Sequence, residues 1–162
     1  MQETEKKFVE EVGVVFEQTG LPRMAGRVFG LLLICDPPYQ SPSELAEALM
    51  ASRGSISTMT RLLVQLSLIE RLGVLGERHG YLRIRSDAWL HLIKRGLEDE
   101  IKMFHQLAEH GLALLASKTP QTPDWLVEMQ KMHNIYTFLG REFPALLERW
   151  EREHQEGGFR VA

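Results

Sequence analysis

Hydrophobic residues recur at helical spacing along most of the chain, and one central segment changes to the alternating pattern of β-strands. Apolar positions three and four apart predict amphipathic helices before residue 36 and after residue 86. Between them, residues 68–74 and 81–85 favour two short strands, joined by a turn over residues 76–80. The pattern therefore predicts a mainly α-helical fold with one small β-hairpin.

Two short helices precede the hairpin, and capping residues mark where each begins. Ser41 is the predicted N-cap of the first, because Pro42 follows it and Glu44 can return a hydrogen bond to its backbone. Ser52 is the predicted N-cap of the second, which should run to about Leu66. Two short helices followed by a hairpin predict a winged helix-turn-helix.

The second of these helices has an apolar face and a polar face, and the polar face carries no acidic residue. Ile56, Met59, Leu63 and Leu66 form the apolar face. The polar face and the first turn hold hydroxyls, a glycine and arginines, which can approach base edges in a DNA major groove. The candidate DNA-binding residues of this helix are Ser52, Arg53, Gly54, Ser55, Ser57, Thr58 and Arg61.

Charge along the chain points to the same region. The net charge is −3, but residues 1–52, 53–85 and 86–162 carry −4, +4 and −3. The basic block thus coincides with the second helix and the hairpin, as expected for a protein that meets DNA with one face. Arg78 and His79 lie at the predicted hairpin tip, where they would reach phosphates or the minor groove.

Two glycines interrupt the apolar helix that should begin at Pro22 and run to about Cys35. Gly26 and Gly30 each weaken a helix by about 1 kcal/mol relative to alanine. Their spacing of four residues places them on one side of the helix. We therefore expect another backbone to pack closely against that side.

The helices at both ends of the chain carry more apolar surface than a small winged-helix lobe can cover. The first should end at Gly20, a long helix should run from an N-cap at Ser86 to about Ser117, and a last helix should follow Thr122. Pro144 is expected to kink or split that last helix. Packing between two copies of the chain would cover the excess, although the first helix fits docking on its own domain equally well.

The predicted organisation has four parts. Residues 1–20 form an N-terminal dimerisation helix, and residues 21–86 form the winged-helix DNA-binding domain. Residues 87–155 form a C-terminal helical dimerisation region, and residues 156–162 are expected to be a flexible tail. The prediction is a homodimer whose two recognition helices meet half-sites about one helical turn apart.

Other chemistry finds little support in the sequence. The N-terminus lacks the apolar run of a signal peptide, and no stretch approaches a membrane span, so we expect a cytoplasmic protein. The six histidines and the single cysteine show no zinc-ligand spacing, and His105 with Glu109 suggests a surface hydrogen bond. Nucleotide-binding loops and a nucleophile elbow are absent. We therefore expect no metal, no cofactor and no enzymatic activity.

Four segments give the sequence a family resemblance: GLPRMAGRVFGLLL before the two short helices, SPSELAEAL and SRGSIS within them, and GERHGYLRI in the hairpin. Together, over roughly Gly20 to Ile84, they resemble the GbsR-type regulators of the MarR superfamily. The resemblance implies a dimeric winged-helix transcription factor that binds a double-stranded operator, here expected to be a repressor. The wing is shorter than in many members of the superfamily.

The same resemblance suggests a small-molecule effector. GbsR-type regulators are associated with choline and osmolyte control, and aromatic faces hold quaternary ammonium groups well. The pocket is expected between the DNA-binding lobe and the dimerising helices, walled by aromatic residues of the long helices: Trp89, Phe104, Trp125, Tyr136 and Phe138. The residues also fit two other interpretations: the same aromatics form part of the core, or the chain is a winged-helix protein-interaction module that does not bind DNA.

Overall fold

The computed structural model describes residues 1–73, 80–117 and 123–155. Within them lie six helices and a two-stranded antiparallel sheet, so the structure is mainly α-helical with a small hairpin, as predicted. In chain order the elements are α1 (Glu3–Gln18), α2 (Arg23–Ile34), α3 (Pro42–Ala48), α4 (Arg53–Gln65), β1 (Ile69–Leu72), β2 (Tyr81–Ile84), α5 (Ala88–Ala116) and α6 (Pro123–Gln155).

The chain divides into two compact units, Met1–Ile93 and Lys94–Ala162. The first contains α1 to α4, the hairpin and the start of α5. Its core lies around α2, which packs against α1, α4 and β2. Its largest fully buried side chains are Phe29, Leu45, Leu49, Ile56, Leu63, Leu68, Ile69 and Leu82.

Helix α1 packs on α2 of its own chain. Val9 and Phe16 of α1 are buried, and the Phe16 ring lies 5.3 Å from the Phe29 ring between centroids. The close approach that the glycines predict is confirmed at Gly26. A Cβ atom placed there would lie 2.7 Å from the carbonyl oxygen of Val12 and 2.8 Å from the Cα of Gly13. Only hydrogen fits in this space.

Two predicted helix starts are wrong by one residue, and the predicted split of the last helix does not occur. Pro22 is the extended N-cap of α2 and not its first helical residue. Helix α5 begins at Ala88, one position after the start that a cap at Ser86 predicts. Helix α6 continues through Pro144 without a split. Proline leaves only one helical hydrogen bond unmade, and the long helix on both sides maintains the rest.

The hairpin is joined to the segment that precedes α3. Within the hairpin Ile69 pairs with Ile84 and Leu72 with Tyr81, and the described ladder ends there. Gln40 forms an antiparallel bridge with Leu82 of β2. Its N–H donates to Leu82 O at 2.9 Å, and its carbonyl accepts from Leu82 N–H at 2.8 Å. These bonds fix the hairpin relative to the start of α3.

The second unit consists of most of α5 and of α6, which run antiparallel. Lys94 near one end of α5 pairs with Glu151 at 2.9 Å, and Phe104 further along stacks on Tyr136 with ring centroids 5.1 Å apart. Ile101, Ala108 and Leu147 are buried. Large apolar residues remain exposed on both helices, including Met103, Leu107, Leu114, Trp125, Val127, Ile135, Phe138 and Leu146.

Candidate nucleic-acid interface

The predicted capping box at Ser41 sets the start of α3. Glu44 N–H donates to Ser41 Oγ at 3.2 Å, and Ser41 N–H donates to the Glu44 carboxylate at 2.7 Å. This backbone hydrogen bond lowers the pKa of Glu44, because it stabilises the ionised carboxylate. Two of the amide groups that a helix N-terminus leaves without partners are satisfied in this way.

A tight turn joins α3 to α4. Met50 adopts a left-handed conformation with a φ of 50°, and the residue is 89% exposed. The carbonyl of Leu49 accepts a hydrogen bond from Arg27 Nη2 at 3.3 Å, which holds the end of α3 against α2. Ser52 then caps α4 by accepting from Ser55 N–H at 3.1 Å, as the sequence predicts.

Helix α4 has the two faces expected from its sequence. Ile56 and Leu63 are fully buried against the core, with Thr60 beside them donating its hydroxyl to Ser57 O at 3.3 Å. Thr60 was not expected in the core; its helical hydrogen bond satisfies the hydroxyl there. Of the candidate residues, Ser55 is half-buried and the exposed ones are Ser52, Arg53, Gly54, Ser57, Thr58 and Arg61.

The arginines of this region differ in whether an acid neutralises them. Among the residues that the structure describes, Arg53 and Arg61 of α4 form no ion pair, and neither does the exposed Arg71 of β1. By contrast, Arg83 Nε lies 2.6 Å from a Glu70 carboxylate oxygen across the hairpin. Arg71 was not among the predicted site residues, because the sequence does not tell which wing arginine has an acidic neighbour.

Asp87 connects the end of the hairpin to the start of α5. Arg85 donates two hydrogen bonds to its carboxylate, at 2.8 and 2.9 Å, and His91 Nε2 lies 2.9 Å from one of the same oxygens. The Arg85 guanidinium is the main reason that the pKa of Asp87 lies well below its usual range. Arg85 is therefore committed to a structural ion pair, which removes it from the charges available to a ligand.

Two further groups of predicted residues are those of the hairpin tip and the aromatic residues of the long helices. Arg78 and His79, the predicted hairpin tip, lie outside the described residues. Of the five predicted aromatics, Phe104 and Tyr136 stack on each other, whereas Trp89 belongs to the first unit and meets the Phe29 ring edge-on at 5.4 Å. Phe138 lies beneath the Arg141 guanidinium at 5.6 Å, and the exposed Trp125 completes the set.

Comparison with known proteins identifies the family. Residues 87–153 match the family described as "MmpR5-like MarR family transcriptional regulator". The chain is also 43% identical over 129 residues to the HTH-type transcriptional regulator MmpR5 of Mycobacterium tuberculosis (strain ATCC 25618 / H37Rv), covering 78% of this chain and 76% of that protein. The chain belongs to the MmpR5-like MarR family of transcriptional regulators.

A solved structure described as a transcriptional regulator agrees with this assignment. It shares 36% sequence identity with the chain and superposes with a TM-score of 0.71 over 92% of this chain and 99% of its own. The hairpin beside α4 is thus the wing of a MarR-family winged helix, and the chain is a DNA-binding transcriptional regulator. No helix in the described part of this MarR-family regulator is long and apolar enough to cross a membrane.

Proposed function

We propose that this regulator binds operator DNA through the exposed face of α4. The observation that carries the proposal is a helix without acidic residues that presents two arginines, free of ion pairs within the described chain, beside an exposed capped N-terminus. Arginine pairs with guanine edges or phosphates, and a helix N-terminus attracts phosphate. Ser57, Thr58 and Gly54 leave room on this face for close approach to the groove.

The wing is proposed to contact the phosphate backbone beside this helix. Arg71 is its described arginine without an acidic partner, and Arg78 and His79 retain their predicted role at the tip. The two backbone hydrogen bonds between Gln40 and Leu82 hold the wing at a fixed distance from the start of α3.

Wing arginines provide a matched test of this arrangement. Arg71→Ala should weaken binding to all DNA sequences alike and lower the slope of log affinity against log salt by about one unit, as loss of a phosphate contact does. Arg83→Ala should change the slope less, because Glu70 already neutralises Arg83. Binding measured at several salt concentrations compares the two, and equal slopes for both variants and the wild type would remove Arg71 from the interface.

The regulator is further proposed to act as a homodimer. Exposed apolar side chains lie on each of the three helices assigned to dimerisation: Phe8 and Val15 on α1, Met103 and Leu107 on α5, and Trp125 on α6. Large apolar side chains left exposed on several helices favour an interface with another copy of the chain. A two-fold dimer would also present two copies of α4 to a pseudo-palindromic site.

Sedimentation of the full chain at micromolar concentration should therefore give the mass of a dimer. Leu107→Glu, which places a charge on the exposed α5 face, should shift the population towards monomer, because burying an unpaired carboxylate is costly. Gln106→Glu is the charge-matched control. Gln106 is the exposed neighbour of Leu107, but it lines the cavity between α5 and α6. A monomeric wild type that binds its operator undiminished would contradict the dimer.

An electrophoretic mobility assay tests the DNA proposal itself. The probe is DNA from upstream of the chain's own gene, with a scrambled fragment of equal length as competitor, at fixed salt. We expect a specific shift that the scrambled fragment does not remove. No shift at any salt concentration would favour the alternative, a winged-helix module that binds protein partners.

Repression is proposed as the mode of regulation, with a small-molecule effector that acts on the C-terminal helices and no catalytic activity. Of the aromatic residues predicted to line the effector pocket, Phe104 and Tyr136 stack on each other within the second unit. This contact supports the proposal. The GbsR subtype and choline rest on the sequence segments alone, since the descriptions of the matched family and relatives name neither. We therefore leave the chemistry of the effector unassigned.

A further inference from the structure

Three groups with metal-ligand chemistry meet between α5 and α6 in the second unit. His105 and Glu109 lie one turn apart on α5, and His133 faces them from α6. One ligand atom from each of the three side chains lies within 4.8 Å of the other two. The His105 and His133 rings are 4.9 Å apart between centroids, and His105 Nδ1 is 3.7 Å from a Glu109 carboxylate oxygen.

Hydrogen bonds determine which nitrogen of His105 has a lone pair. The Thr137 hydroxyl donates its single proton to His133 O at 2.7 Å. Its oxygen lies 3.1 Å from His105 Nε2, so it can only accept there, and Nε2 must carry the proton. In the neutral ring Nδ1 then presents its lone pair to the Glu109 carboxylate.

Two lone-pair groups that face each other can bind a cation between them. His105 Nδ1 and the Glu109 carboxylate oxygen are 3.7 Å apart, which is too long for a hydrogen bond. Neither atom is therefore a hydrogen-bond partner of the other. His133 adds an independent sign, because its Nδ1 atom is buried and has no hydrogen-bond partner among the described residues. Buried polar atoms without partners are rare in folded proteins.

We propose that His105, Glu109 and His133 bind a divalent transition-metal ion of the zinc class. Two imidazoles and one carboxylate form a ligand set that suits Zn²⁺, with a fourth position left for water or another ligand. Tetrahedral Zn²⁺ with bonds of about 2.0–2.2 Å places its ligand atoms about 3.3–3.6 Å apart. The 3.7 Å pair is close to this spacing, and rotation of side chains would bring in the third group.

The surroundings suit a bound ion in two further ways. Thr137 orients the His105 ring by accepting its Nε2 proton, which is the arrangement that metal-bound histidines usually show. The half-exposed Glu109 side chain gives an ion and its water ligand access from solvent. A metal here would join α5 to α6, two of the helices proposed for dimerisation.

Calorimetric titration of the metal-free full chain with Zn²⁺ tests the site. We expect one ion per chain, and Co²⁺ in its place should give the visible absorption of a tetrahedral complex. Glu109→Gln should weaken Zn²⁺ binding at least about tenfold, and Thr137→Val, which preserves shape but releases the His105 ring, should weaken it about 10–100-fold. His110→Gln, which changes the exposed histidine next to Glu109, should leave affinity unchanged.

Glu109 is 53% exposed at its side chain, so its replacement leaves the fold intact, and circular dichroism of each variant verifies this. Zn²⁺ at one fixed concentration should also raise the melting temperature of the wild type and of His110→Gln more than that of Glu109→Gln. Absence of binding heat in the wild type would overturn the proposal. So would equal affinity in the wild type, in Glu109→Gln and in His133→Gln, which would reveal adventitious binding to surface histidines.

Discussion

Arg61→Ala is expected to reduce operator affinity by about 1–3 kcal/mol and to relax the sequence preference of the site. Arg61 lies on the exposed face of α4, opposite the buried Ile56 and Leu63, so its side chain points away from the core. It forms no ion pair with any described residue, so its removal leaves no described acid without a partner. The loss should therefore appear in DNA binding and not in folding.

The measurement is a titration of operator and scrambled DNA at one salt concentration, with urea unfolding of each variant alongside. The free energy of unfolding of Arg61→Ala should stay within about 0.5 kcal/mol of the wild type, as for most exposed substitutions. Should the variant discriminate between operator and scrambled DNA as well as the wild type does, Arg61 would not read bases.

Gly54→Ala gives a companion variant on the same face. A Cβ atom at Gly54 meets only Ser52 Oγ, at 3.9 Å, so alanine fits without strain. The change should stabilise the fold by up to about 1 kcal/mol through helix propensity, while the added methyl group obstructs close approach to DNA. Stability and DNA affinity should thus move in opposite directions, which separates a DNA contact from a folding effect.

The local features of this site could be predicted because local signals determine them. Ser41 and Ser52 cap the helices that follow them because each hydroxyl reaches an amide group three residues on. The spacing of Ile56 and Leu63 fixed which face of α4 is buried. Both depend on residues within one or two helical turns, so neither required knowledge of the fold.

Features that depend on tertiary contact could not be predicted in this way. The sequence alone does not show which wing arginine forms an ion pair. The register of the two strands places Glu70 opposite Arg83 and so gives Arg83 an acidic partner. His105 and His133 are also far apart in the sequence and lie on different helices, so no short ligand spacing within one element connects them. The antiparallel packing of α5 and α6 brings these two rings together.

Gly26→Val is expected to reduce the free energy of unfolding by about 3 kcal/mol, the upper end of the usual cost of overpacking. The new Cβ would lie 2.7 Å from Val12 O and 2.8 Å from Gly13 Cα. These are backbone atoms of α1 and cannot rotate away as a flexible side chain does. The clash can be relieved only if α1 moves off α2, which would expose the buried Val9 and Phe16.

Two further variants separate this steric effect from helix propensity. Gly26→Ala gains about 1 kcal/mol of propensity but introduces the same Cβ, so its stability should fall between those of the wild type and Gly26→Val. Gly96→Val in α5 is the matched control, because no atom of the described residues lies within 4 Å of a Cβ atom there. Valine is a better helix former than glycine, so that variant should equal or slightly exceed the wild type in urea unfolding. Equal stability of the two valine variants would mean that α1 can move away from Gly26 at little cost, and that the contact between α1 and α2 contributes little to the fold.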